Sequence, residues 1–122
     1  MKILIVDDDA GMIAVLRKLL GQLDYADVDA AEEGTAALRR LKEERYALVI
    51  SDWQMDPMDG LELLAAIRSD AALGEMPFIL VTADVASGNE AKARQAGASG
   101  FLLKPFGRDA LKARIEAATG RA

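Results

Sequence analysis

Residues 47–52 read Ala47-Leu48-Val49-Ile50-Ser51-Asp52, a short apolar run closed by a hydroxyl and then a carboxylate. A run this short and continuously apolar suits a strand buried on both faces, not one with a wet side. The same phrase recurs along the chain. Ile3-Leu4-Ile5-Val6 stops at Asp7, Phe78 to Thr82 stops on a hydroxyl, and Gly100 to Leu103 leads into Lys104-Pro105. Val28 to Ala31 is a weaker run of the same kind.

Between these runs the period changes to that of a helix. Met12 to Leu23 sets Met12, Val15, Leu16, Leu19, Leu20 and Leu23 on one face. After Gly34, the residues Ala37, Leu38 and Leu41 mark a second helix. Asp59 with Glu62 has capping-box spacing and opens a third, carrying Leu61, Leu64 and Ile67. Ser87 with Glu90 repeats that spacing, which predicts a fourth helix opening there and stopped by Gly97. Leu111 and Ile115 mark the last, before the chain closes on Thr119-Gly120-Arg121-Ala122. Five strands, each followed by a helix, predict a parallel sheet with right-handed crossovers. The expectation is a single α/β domain over residues 1–122.

Composition narrows the chemistry. The chain has 122 residues, no cysteine and no histidine. Disulfides, thiolate metal sites, histidine-based triads and the usual zinc sites are therefore excluded. A net charge of −5 argues against nucleic acid or a membrane surface as the main partner. The apolar run from Ile3 to Val6 is too short for a signal peptide or a membrane span, so a cytoplasmic protein is expected.

Parallel sheets bind ligands outside the carboxyl ends of their strands. That edge should carry Asp7, Asp8 and Asp9, then Asp52, Thr82 and Lys104. Gathered carboxylates repel one another, and uncompensated, one of them takes up a proton. An oxygen-only donor set selects a hard divalent cation, and one or two carboxylates with a phosphate oxygen suit Mg²⁺. An ammonium and a hydroxyl beside it would serve a transferring phosphoryl group, with an aspartate as nucleophile. Each residue also has a plainer reading. Asp9 can be a helix cap, Thr82 a strand former and Lys104 a solvated loop charge.

The segments Ile3 to Asp8, Val49 to Trp53, Met58-Asp59-Gly60, Val81-Thr82-Ala83 and Lys104-Pro105-Phe106 together resemble the response-regulator receiver family. Within it, Gln95 to Gly100 and the stretch after Asp59 are similar to the single-domain chemotaxis regulators. The resemblance implies a single doubly wound, five-stranded parallel sheet of flavodoxin-like type. Its strand order 2-1-3-4-5 is taken from the family and not from the residues. It also implies that Asp52 accepts the phosphoryl group from a phosphohistidine on a partner histidine kinase. Asp8, Asp52 and the backbone carbonyl of Gln54 would bind Mg²⁺ directly, with Asp7 helping through water. Thr82 and Lys104 would contact the phosphoryl oxygens, and Thr82 with Phe101 would form the switch. Output is expected through contact with a downstream protein, such as a flagellar motor switch, by a monomer that catalyses only its own phosphorylation and dephosphorylation.

Three positions depart from the chemotaxis pattern. Pro57 stands one residue later than usual in Met55-Asp56-Pro57-Met58, which predicts a different loop path. Gln54 replaces a shorter side chain, and Phe101 stands where those regulators carry tyrosine. Rival readings are a haloacid-dehalogenase-type phosphatase, for which Asp7-Asp8-Asp9 supplies the letters, a flavodoxin-like binding module, a docking-only receiver, and a phosphorelay intermediate or kinase-regulating receiver outside motility.

Overall fold

A computed structural model describes residues 1–120; Arg121 and Ala122 at the end of the sequence lie outside it. The elements run β1 (Ile3–Val6), α1 (Ala10–Gln22), β2 (Val28–Ala31), α2 (Gly34–Glu43), β3 (Leu48–Asp52), α3 (Gly60–Ser69), β4 (Phe78–Thr82), α4 (Asn89–Gln95), β5 (Gly100–Leu103) and α5 (Arg108–Thr119). All pairings are parallel, in the order β2-β1-β3-β4-β5. Both the expected fold class and the strand order are therefore present.

Alternation along the buried strands divides the core in two. Leu4, Val6, Val49, Phe78 and Leu80 point to one face, where Leu63, Leu64 and Ile67 of α3 cover them. Ile3, Ile5, Ile50 and Ile79 point to the other, under Leu16 and Leu20 of α1 and Leu111 and Ile115 of α5. Each such side chain contributes about 1.5–3 kcal/mol on leaving water, so these two layers dominate stability. No helix among the described residues is long and apolar enough to cross a membrane.

Local details both match and correct the sequence reading. Asp9 does cap α1, its carboxylate accepting the Gly11 N–H at 2.9 Å. Val15, expected on the buried face, is 49% exposed, because the buried stripe narrows to Leu16 and Leu20. On α3, Leu63 joins Leu64 and Ile67 in the core while Leu61 is only partly covered. The Asp59–Glu62 capping box is present with both of its hydrogen bonds.

Ser87 does not open α4. Gly88 stands at the N-cap with φ of 89°, a left-handed backbone that glycine adopts without a Cβ penalty. The helix therefore begins one residue later, and its N-cap receives no side-chain hydrogen bond. Gly97, at φ of 100°, follows the helix end as expected. The Asp56–Pro57 and Lys104–Pro105 peptide bonds are both cis.

Arg68 ties the loops beneath the sheet together. Its guanidinium donates to the carbonyls of Gly97 (3.0 and 2.7 Å), Gly74 (3.1 Å) and Met76 (2.8 Å). At the β2 margin, the carbonyls of Asp27 and Ala31 face inward and accept the N–H groups of Ile3 and Asp7. The Val28 carbonyl consequently faces outward, where Arg17 donates to it at 2.9 Å.

Candidate functional site

The carboxyl edge of the sheet collects the charged residues because three strands end there together. Strand β1 ends at Val6, opposite Ser51, so Asp7 and Asp8 emerge beside Asp52. Oxygens of Asp7, Asp8 and Asp52 all lie within 4.8 Å of one another. Asp7 is buried and Asp8 is exposed, with Asp52 in between. Lys104, at the end of β5, reaches back across β4. Its Nζ lies 3.5 Å from Asp7 Oδ2 and 3.3 Å from Asp52 Oδ1.

Two backbone donors orient the carboxylates. The Asp9 N–H donates to Asp7 Oδ1 at 2.9 Å, and the Trp53 N–H donates to Asp52 Oδ1 at 3.0 Å. Burial holds the Asp7 carboxyl above the ordinary carboxylate range; the Asp9 N–H opposes that, the Asp52 charge adds to it, and Lys104 opposes it. A buried acid beside a second acid is the environment that an added cation relieves. Oxygen donors alone suit a hard cation.

Thr82 ends β4 with its side chain 1% exposed, its Oγ1 accepting the Asp84 N–H at 3.0 Å. Gln54 and Asp84 are exposed on the loops that flank the site. Phe101 is buried, as a ring without a hydroxyl is expected to be, and meets Trp53 edge-on at 6.5 Å between centroids. Asp9 belongs to the helix cap instead of the carboxylate cluster. The triplet Asp7-Asp8-Asp9 is thus not one constellation, and the letters that suggested a phosphatase lose their meaning.

Two neighbours of Asp52 had no role in the sequence reading. The Ser51 hydroxyl donates to the Asp52 carbonyl at 2.8 Å. Gly60 packs so closely that a Cβ there would strike that same carbonyl, and would lie 2.9 Å from Leu80 Cδ1. A serine inside an otherwise apolar strand was the available signal for the first. A glycine at N1 of a helix directly after its cap was the signal for the second.

A family model for the response regulator receiver domain matches residues 3–116. The chain belongs to the response regulator receiver family. Chemotaxis protein CheY of Pseudomonas aeruginosa is 39% identical to this receiver over 116 residues, which span 95% of this chain and 94% of that protein. The chemotaxis response regulator CheY4 of Vibrio cholerae superposes with a TM-score of 0.86 at 27% identity, over 96% of this receiver and 97% of that chain. The receiver domain of a sensor histidine kinase from Pseudomonas aeruginosa, solved with a magnesium ion coordinated in its active-site cleft, gives 0.87 at 28% identity, over 98% and 97%.

Proposed function

We propose that this receiver is a phosphorylation-activated regulator of a two-component system, taking a phosphoryl group from a histidine kinase onto Asp52. The observation that carries the reading is the Lys104 ammonium set between Asp7 and Asp52 at the sheet's carboxyl edge. An Asp52 carboxylate oxygen attacks phosphorus in line as the P–N bond to the donor imidazole breaks, and the imidazole leaves with the electron pair and takes up a proton. Lys104 pairs with the phosphoryl oxygens as charge builds on them, and the Thr82 hydroxyl donates to one of them. Hydrolysis later returns the carboxylate, so the receiver acts catalytically only on itself.

Asp7, Asp8, Asp52 and the Gln54 carbonyl would hold Mg²⁺, which when bound neutralises the clustered charge and that of the phosphoryl group. This chain's likeness to a receiver solved with magnesium supports that choice. The whole of residues 1–122 is read as one receiver domain, working as a cytoplasmic monomer on protein partners and not on nucleic acid or membrane. The 39% identity to a chemotaxis protein favours a flagellar motor switch as the downstream target.

The test is incubation with acetyl phosphate and Mg²⁺, followed by mass spectrometry of the modified peptide. One hydroxylamine-sensitive phosphoryl group on Asp52, absent from Asp52→Asn, is expected. Equal labelling of that variant would remove the proposal. A second reading, a phosphorelay intermediate, draws on the likeness to a receiver within a sensor kinase. Onward transfer to a histidine phosphotransfer protein, without binding to a motor-switch protein, would favour it.

A further inference from the structure

Strand β3 carries one hydroxyl in its fully buried stretch, and it does not face the carboxylates. Ser51 is 0% exposed and belongs to the face covered by α3, whereas Asp52 points toward the site. Its hydroxyl is hydrogen-bonded to the Asp52 carbonyl at 2.8 Å. That carbonyl lacks a ladder position. Val49 and Trp53 donate to Pro77 and Val81 of the β4 side, so the Asp52 carbonyl turns toward β1. Strand β1 has already ended at Val6, opposite Ser51. An unpaired carbonyl in this part-buried position costs free energy, and the Ser51 hydroxyl offsets that cost.

The peptide plane between residues 52 and 53 is therefore held at both ends. At one end is Ser51. At the other, the Trp53 N–H is shared between the Val81 carbonyl at 2.9 Å and Asp52 Oδ1 at 3.0 Å. Because a peptide unit is rigid, fixing its carbonyl fixes the direction of its N–H. That N–H in turn orients the carboxylate, whose same oxygen meets Lys104. Gly60 completes the arrangement, since only a residue without a side chain leaves room for the carbonyl where Ser51 holds it.

We propose that Ser51 is a positioning residue for phosphoryl transfer: by clamping the 52–53 peptide plane, its hydroxyl holds the Asp52 carboxylate in the attacking orientation. This rests on the reading of Asp52 as the acceptor. In the transfer itself, a carboxylate oxygen bonds to phosphorus while the P–O bond of acetyl phosphate breaks and acetate departs with the electron pair. Ser51 exchanges no proton and touches neither reactant. Its effect is on the fraction of time that the nucleophile is aligned, which enters the rate and not the affinity for the phosphodonor.

Ser51→Thr and Ser51→Val share a shape and differ in the hydroxyl. Each is phosphorylated by acetyl phosphate over a range of concentrations in saturating Mg²⁺, with transfer read by mass spectrometry and folding by thermal melting. Ser51→Val should lose about fivefold in the maximal rate constant, equivalent to about 1 kcal/mol, at an unchanged half-saturating phosphodonor concentration. Ser51→Thr should keep the parent rate. Equal rates in the two variants, with normal labelling of the parent on Asp52, overturn the role of Ser51 and leave the acceptor reading standing. A parent that is not labelled on Asp52 overturns both. Should Ser51→Val not fold, Ser51→Ala replaces it. A parent-like rate there overturns the proposal, and a slowed one against normal Ser51→Thr supports it.

Discussion

Asp7 is the residue on which stability and the proposed metal site oppose each other. Its carboxyl titrates above the ordinary carboxylate range because it is buried beside Asp52. The folded chain thus keeps this proton at pH values where the unfolded chain has lost it. Stability from this group is full below the ordinary carboxylate value, falls as pH rises through the folded value, and is at its lowest at neutral pH. Asp7→Asn should therefore melt higher than the parent at pH 7, and the gain should vanish as pH drops below the ordinary carboxylate range. Adding Mg²⁺ should raise the parent's melting temperature toward that of the variant and raise the variant's by less, since Asp8 and Asp52 remain. Melting curves across pH, with and without Mg²⁺, check both signs.

For Gln54 and Asp84 the expected effect is on phosphoryl lifetime. Both are exposed and follow Asp52 and Thr82 by two residues, on the loops that flank the site. Gln54→Ala and Asp84→Ala should change the dephosphorylation rate severalfold while phosphorylation by acetyl phosphate stays within about twofold. Timed loss of the phosphoryl group after donor removal measures it, and unchanged lifetimes in both variants would contradict it. The charged site residues were legible in sequence because strand ends in a parallel sheet converge on one edge. Ser51 was not, since its role depends on where β1 stops beside it, a fact of pairing and not of composition.

Among the elements, α4 is held unequally at its two ends. Its C-terminal side is anchored through Gly97 by Arg68, whose guanidinium loses pKa to burial and gives its hydrogen bonds to backbone carbonyls. Its N-terminal side begins at Gly88 on an exposed loop. Arg68→Ala should cost about 3 kcal/mol, given about 1.5–3 kcal/mol for each hydrogen bond to a charged group and partial rescue by water. Urea denaturation reads that loss, and Arg68→Lys should recover only a part because an ammonium cannot reproduce the planar fork. On phosphorylation, Thr82 should turn toward the acceptor and the Gly88 end of α4 should shift more than the Gly97 end. Amide chemical shifts with and without beryllofluoride test this, and uniform or absent changes over residues 87–97 would count against it. The spans of β4 and β5 were readable to the residue, since each apolar run is bounded on both sides. The start of α4 was not, because capping-box spacing says nothing about whether the chain must pass through a left-handed turn first.

The whole molecule is one sheet with two sealed faces and two margins, and the β2 margin has a property of its own. Parallel margins with open carbonyls are templates on which another extended chain can add, and proteins protect themselves by occupying or charging them. Here β2 has four residues, carries Asp29, and has its outward Val28 carbonyl taken by Arg17. Removing that one side chain should leave the fold in place, because Arg17 is exposed and bonds a single carbonyl. What changes is colloidal. Arg17→Ala should scatter light earlier than the parent during slow heating at equal concentration, at a melting temperature within a degree or two by calorimetry, as expected for an exposed substitution. On that expectation Arg17 matters less to the fold of one copy than to the solubility of many, by occupying a carbonyl on the margin where another strand could add.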